Sequence, residues 1–192
     1  MKLFKYILSA LLLLIAGIAI VNYPKLTIIS GFAAKNMASN RFIASRTVDA
    51  VTADDHNVPL IKLAEVEVNE DEVAATVYGL MERKSVCADG LGCILINDDF
   101  DMGAIDYKPN RSKIDNGLAF PYGNTGSKDT VFGNVDYEQL QKAIDGAFAN
   151  ADVQKTRTVL VSYKDCILGE KYAEGFTKDT PILGWSMTKS VL

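Results

Sequence analysis

A continuous apolar segment begins the chain. Residues 6–21 are apolar apart from one serine and one glycine, and Lys2 and Lys5 precede them. Basic residues followed by such a stretch are typical of an export signal, and about 17 apolar residues are the lower limit for crossing a bilayer. A buried core helix is the alternative. No small-residue cleavage motif follows, so we expect residues 1–23 to be a signal peptide or, preferably, a retained membrane anchor.

This anchor fixes the expected location of the remainder. Lysines flanking an apolar span stay on the cytoplasmic side of the membrane. We therefore expect residues 6–21 to contact the inner membrane and the rest of the chain to be periplasmic or otherwise extracytoplasmic.

Residues 24–135 show weaker patterns. Apolar positions at helical spacing predict a helix over residues 26–38. Partial alternation supports a strand within residues 61–68, while the acidic start of residues 69–81 fits either a helix or a solvated loop. The apolar run at residues 93–96 predicts a short strand. We expect this exported N-terminal region to be largely irregular.

The clearest pattern follows a long surface connection, which the abundance of Gly, Asn, Asp, Ser and Pro predicts over residues 107–134. Asp136 is a natural N-cap. One apolar stripe at helical spacing follows it, formed by Tyr137, Leu140, Ile144, Ala147 and Phe148. Residues 156–163 and 166–172 predict the two strands of a β-hairpin with a two-residue turn. The expected fold class is α+β, in which residues 136–192 begin an antiparallel sheet flanked by helices.

Composition and charge exclude several classes of function. The chain has 192 residues, of which 48% are hydrophobic and 23% charged, as in ordinary globular proteins. Its net charge of −4 argues against a nucleic-acid partner, since such proteins usually present a basic face. His56 is the single histidine, which removes most routes to a histidine-rich metal site or a Ser-His-Asp triad within these residues.

Three cysteines bear on the redox compartment. An exported chain meets oxidising conditions, in which disulfides persist. Cys87 and Cys93 flank a segment with two glycines that allows a tight turn, so they form either a disulfide or two separately buried thiols. Cys166 is then left without a partner. The spacing does not fit a zinc site, and a fourth ligand is missing.

The candidate chemistry lies in an S-x-x-K motif, formed by Ser186 and Lys189. At a helix start, residues three apart lie on the same face, so the lysine amine can reach the serine hydroxyl. A neutral amine, favoured by burial or neighbouring positive charge, can take the hydroxyl proton as a general base. Free N–H groups at the helix N-terminus would stabilise developing negative charge. The alternative is a helix-capping serine and a solvent-facing lysine.

A family resemblance rests on three segments of the chain. The first segment is residues 116–124 (NGLAFPYGN). The second is residues 159–172 (VLVSYKDCILGEKY), which contain the predicted hairpin, and the third is residues 180–190 (TPILGWSMTKS), which contain the S-x-x-K motif. Together they resemble the serine β-lactamase and penicillin-binding-protein superfamily. The similarity is greatest to its class C-like branch, with penicillin-binding esterases and 6-aminohexanoate-dimer hydrolase. Over residues 24–115 the likeness is only general.

The resemblance implies a serine hydrolase. Ser186 would be the acylated nucleophile and Lys189 its base, and a small-molecule amide, ester or β-lactam would be attacked at its carbonyl and released through an acyl-serine intermediate. No cofactor or metal is implied. The second oxyanion donor and two further motifs come later in the family's chains, so we expect residues 136–192 to be the truncated start of a β-lactamase-like catalytic domain, inactive as this fragment.

One alternative belongs to another class of protein. It is a non-catalytic, membrane-anchored envelope module with a binding or structural role. For Trp185, next to the motif, two roles stay open, lining of the pocket and packing beneath the helix.

Overall fold

The structure is a computed structural model that describes residues 2–97, 99–101, 103, 108–110, 116–128 and 130–190. The chain folds into two compact units. The first consists of Met1–Asn110 with Ile182–Leu192, and the second of Arg111–Pro181. The expected α+β class is confirmed, because a long apolar helix is combined with an antiparallel four-stranded sheet. The predicted domain boundaries, after residues 23 and 135, stay predictions.

The first unit begins with helix α1, Lys2–Asn22, followed by a 3-10 turn, Tyr23–Lys25, and helix α2, Leu26–Ala38. Pro24 lies at the start of this turn, where its missing N–H is no loss to the hydrogen-bonding ladder. The helix predicted over residues 26–38 is confirmed. Because α1 is about 30 Å long by its residue count and almost wholly apolar over residues 6–21, it can serve as a signal anchor or membrane span.

Short helical segments connect α2 to the sheet. A π-helical turn, Ser39–Ile43, continues α2, and helix α3, Val48–Asp54, follows. The Thr47 hydroxyl caps α3 by accepting a hydrogen bond from the backbone N–H of Ala50 at 3.2 Å. A second 3-10 turn, Ile61–Leu63, leads into the first strand.

The four strands are β1, Ala64–Val68, β2, Glu72–Val77, β3, Leu80–Ala88, and β4, Gly92–Ile96. They form an antiparallel meander in the order β1-β2-β3-β4. The link between β2 and β3 is only two residues long, Tyr78 and Gly79, and both have positive φ, 54° and 68°. Two successive left-handed residues match the twist of the flanking strands and give a tight hairpin.

Helix α2 lies across this sheet and closes the core. Its small residues Ala33, Ala34 and Ala38 are fully buried, which lets the helix backbone come close to the strands. Met37 and Val73 fill the space between the two layers. A hydrogen bond of 2.6 Å from the Ser30 hydroxyl to the carbonyl of Met81 adds a polar tie between α2 and β3.

The disulfide expected between Cys87 and Cys93 is present. The two residues face each other in the register of β3 and β4. Gly90 and Gly92, both with positive φ, form the turn between these strands. The reading of two separate thiols is therefore wrong, and Cys166 is a free, buried cysteine.

Two expectations for this unit are corrected. Residues 24–97 are ordered into helices and a sheet, not largely irregular. No helix starts at residues 69–72. Residues 69–71 form the exposed loop that was the alternative, and residues 72–77 are strand β2. Consecutive residues of β2, Val73, Ala74 and Ala75, are all buried, so the strand lacks the alternation that would have revealed it.

The second unit contains helix α4, Tyr137–Gly146, a short helix α5, Ala151–Gln154, and the strands β5, Thr158–Tyr163, and β6, Cys166–Tyr172. The predicted cap is confirmed, because the Asp136 carboxylate accepts a hydrogen bond from the N–H of Gln139 at 3.0 Å. Helix α4 packs on β6 at Gly169. A Cβ there would lie 2.8 Å from the Cδ1 atom of Ile144, so a larger residue would require this side chain to move.

The predicted hairpin is also confirmed. β5 and β6 pair antiparallel around the turn Lys164–Asp165, whose φ values are 47° and 62°. Residues 116–128 lie in the same unit, and the Tyr122 hydroxyl donates a 3.0 Å hydrogen bond to the carboxylate of Asp165. The predicted surface connection over residues 107–134 lies partly outside the described residues, and those described within it form no helix or strand.

Candidate functional site

Ser186 and Lys189 lie in a short 3-10 helix, Trp185–Ser190, where an α-helix start was expected. In a 3-10 helix, side chains three residues apart stand directly above one another. The two residues therefore share one edge, as their spacing predicts. Both are exposed, and within the described part of the chain no hydrogen bond joins the hydroxyl to the amine. In this arrangement Lys189 does not orient Ser186.

A stacked pair of aromatic rings orients this helix against α2. The Trp185 ring stacks on Phe32 of α2 with ring centroids 5.4 Å apart and planes 16° from parallel. Two local hydrogen bonds hold the turn. One runs from the N–H of Met187 to the carbonyl of Gly184 at 2.9 Å, and the other from the Thr188 hydroxyl to the carbonyl of Trp185 at 2.6 Å. The edge formed by residues 185 and 188 thus faces α2.

A cavity of about 530 Å³ lies between α2 and this terminal segment. Its lining residues include Phe32, Lys35, Ser39, Leu95, Leu183 and Trp185. Trp185 lines this cavity and is 59% exposed, and its role in a substrate pocket of Ser186 stays a prediction. Ser186 and Lys189 are not among the lining residues. The candidate nucleophile is adjacent to the cavity but does not face it.

Sequence reasoning missed the polar pair in this cavity. The Lys35 ammonium donates a 2.5 Å hydrogen bond to the hydroxyl of Ser39, which is 1% exposed. The signal was present, because Lys35 and Ser39 are polar and four residues apart in a stretch with the periodicity of a helix. Such residues usually mark the solvent-facing side of a helix. Here the same side is covered by the terminal segment.

His56 is a second unusual group in the first unit. Its side chain is buried, and among the described residues its Nε2 atom has no hydrogen-bond partner. Burial lowers the pKa of His56, while the negative charge of Asp55 acts in the opposite direction. Arg46 forms ion pairs with Asp55 and, at 2.8 Å, with Asp54, and Lys62 lines the same cavity as His56. These surroundings favour the neutral imidazole.

We expect the first unit to lose stability as pH falls below about 6.5, the unperturbed pKa of histidine. The folded pKa of His56 lies below the unfolded value, so in this range the unfolded chain binds the proton more readily. The stability is fully present above pH 6.5 and is lost as pH falls through the folded pKa. Urea unfolding at pH 7.5 and 5.5 measures the effect.

His56→Phe is the control for this prediction, because it keeps a ring in the buried site and removes the titrating group. The variant should lose less stability than the wild type between pH 7.5 and 5.5. An equal loss in both proteins would assign the pH dependence to other groups.

The described residues contain no group of three or more His, Cys, Asp or Glu side chains that could hold a metal ion. Comparisons with known proteins leave the assignment open. No protein-family model, no curated protein and no solved structure matches the chain. The resemblance to the serine β-lactamase superfamily therefore rests on the residues quoted above.

Proposed function

We propose that the chain carries the nucleophile of an exported serine hydrolase of β-lactamase type. The observation that carries the proposal is the common edge of Ser186 and Lys189 in the helix Trp185–Ser190. The order of helix α4, hairpin and S-x-x-K helix supports it. The β5–β6 hairpin with α4 packed on Gly169 would then be the start of the antiparallel catalytic sheet.

The reaction follows from the two side chains. The neutral amine of Lys189 removes the proton of the Ser186 hydroxyl as its oxygen attacks the carbonyl carbon of a small amide, ester or β-lactam. The resulting oxyanion is stabilised by backbone N–H groups, that of Ser186 among them. Collapse expels the leaving group, which takes the proton held by Lys189, and gives an acyl-serine. The amine, neutral again, takes a proton from the attacking water and returns it to the Ser186 oxygen as the acyl group is released.

This chemistry requires a change from the arrangement described above. Both side chains are exposed to water, which competes for the serine hydroxyl and the lysine amine. A bound substrate or further protein structure has to cover the pair, because desolvation favours the neutral amine and removes competing water. Lys189 then has to turn toward Ser186, which its flexible side chain allows.

The proposed location follows from helix α1. With residues 6–21 in the inner membrane, the part of the chain that follows them lies outside the cytoplasm, in the periplasm or its equivalent. The substrate is then a small molecule of that compartment. Nucleic acid is not a partner in this proposal, and the serine chemistry needs no cofactor.

A non-catalytic, membrane-anchored envelope module is the second candidate. The observation that favours it is the absence of a hydrogen bond between Ser186 and Lys189 among the described residues. In this case the first unit, which is continuous with helix α1, binds a ligand or a partner. Ser186 then only caps a short helix, and Lys189 only faces solvent.

Ser186→Ala should abolish labelling by a fluorophosphonate or a fluorescent penicillin, because the acylated oxygen is removed. Lys189→Ala should slow labelling about 100-fold or more, since general bases contribute 10²–10⁴-fold. The protein is expressed from its complete reading frame, and mass spectrometry locates the adduct.

Ser190→Ala is the matched control, because Ser190 belongs to the same helix but lies on another edge. It should label at the wild-type rate. Labelling that persists in Ser186→Ala contradicts the assignment of the nucleophile. A folded protein that forms no adduct supports the second candidate.

A further inference from the structure

We propose that the cavity between α2 and Trp185 binds a small aliphatic carboxylate, with its carboxylate at Lys35 and its tail against the apolar walls. This site is separate from the proposed nucleophile, because neither Ser186 nor Lys189 lines it. The proposal therefore holds or fails independently of hydrolysis.

The walls of the cavity select an apolar tail. Phe32 from α2, Leu95 from β4, and Leu183 and Trp185 from the terminal segment line it. Its volume of about 530 Å³ lies within the range of about 300–1,000 Å³ that is usual for small-molecule sites. Such sites are mostly apolar with a few polar groups that fix the orientation of the ligand, and this cavity has that composition.

The charge at one side of the cavity selects the head group. Lys35 is half-buried, and in the described part of the chain its ammonium pairs with no carboxylate. Its hydrogen bond to Ser39 supplies an oxygen but no negative charge. A partly desolvated ammonium without a counter-charge is costly. A ligand carboxylate supplies the missing charge and accepts a charge-assisted hydrogen bond.

A carboxylate fits this charge better than a phosphate does. The cavity offers one ammonium, Lys35, with the Asn36 amide also among its lining groups. This single positive charge matches a monoanion. Phosphate recognition usually relies on the bidentate guanidinium of arginine or on several cations, and none of the arginines that the structure describes lines the cavity.

Trp185 makes the proposal directly measurable, because it is the only tryptophan of the chain and lines the cavity. The whole chain is reconstituted in phosphatidylcholine nanodiscs and titrated with octanoate, 1-octanol and octyl phosphate while its tryptophan fluorescence is recorded. We expect octanoate to bind at least about tenfold more tightly than 1-octanol, which has the same tail without the charge. Octyl phosphate should bind more weakly than octanoate.

Lys35→Met tests the head-group contact, because it removes the charge and keeps a long side chain. It should weaken octanoate binding at least about tenfold and leave 1-octanol binding unchanged. Lys25→Met is the matched control. Lys25 is an exposed lysine of the same helical run, and its ammonium donates a hydrogen bond to the Asn22 side chain. It does not line the cavity, so its replacement should change neither affinity.

Three results would overturn the proposal. The first is octanoate binding that is no tighter than 1-octanol binding. The second is tighter binding of octyl phosphate than of octanoate, and the third is a Lys35→Met protein that keeps the preference for octanoate. If Lys35→Met does not fold, Lys35→Arg replaces it. This variant keeps the positive charge and should keep the preference for octanoate over 1-octanol, and loss of that preference in a folded Lys35→Arg protein counts against the ion pair.

Discussion

Met37→Ala should lower the free energy of unfolding of the first unit by about 2–5 kcal/mol, the range measured for such truncations in protein cores. Met37 is fully buried between α2 and the sheet, in contact with the same core as Val73. The substitution removes apolar contacts and leaves a cavity that a helix lying on a sheet cannot close without shifting as a whole. Urea unfolding followed by circular dichroism measures the change.

Met187→Ala provides the matched control, because this methionine is 68% exposed. The same chemical change at a surface position should cost less than about 0.5 kcal/mol. Equal losses for the two variants would mean that α2 does not pack on the sheet as described.

The double variant Leu12→Arg with Ile15→Arg should release the protein from the membrane. Both residues lie near the middle of α1 and are exposed in the folded chain. Each arginine at the centre of a membrane-spanning helix costs about 3 kcal/mol for insertion, so the pair costs about 6 kcal/mol. The fraction that resists carbonate extraction from isolated membranes measures the outcome.

Val131→Arg with Val153→Arg adds the same charges elsewhere and serves as the control. These valines are 81% and 75% exposed and belong to the second unit. The control protein should stay in the membrane fraction. If the α1 variant stays there as well, residues 6–21 are not the anchor.

The elements that the sequence predicts well are those with one buried face. In α4, the apolar stripe and the cap at Asp136 are local signals, and both are present in the structure. The hairpin was visible because the two-residue turn Lys164–Asp165 separates two β-rich runs. Helix α2 followed from the spacing of its apolar residues. Local periodicity and turn chemistry are sufficient in these cases.

The sheet of the first unit depends on contacts that are distant in sequence. Val73 and Ala75 of β2 are buried because α2 covers their face of the sheet, and no local pattern encodes that cover. The cavity also depends on contacts that are distant in sequence. From the sequence alone, Lys35 and Ser39 resemble residues of a solvent-facing helix side, but Trp185, which lies far along the chain, stacks on the neighbouring Phe32. For Ser186 and Lys189 the spacing predicted the common edge, but the exposure of both side chains depends on the surrounding structure.

The helical run from α1 into α2 restricts how far the first unit can move from a membrane. The run is unbroken from Phe4 to Ile43, and only the 3-10 turn at Tyr23–Lys25 separates the two helices. With α1 as the anchor, no flexible tether lets the sheet diffuse away from the bilayer surface. The sheet is held close to the bilayer by a short helical link, so its reach is limited to tilting and bending of that link.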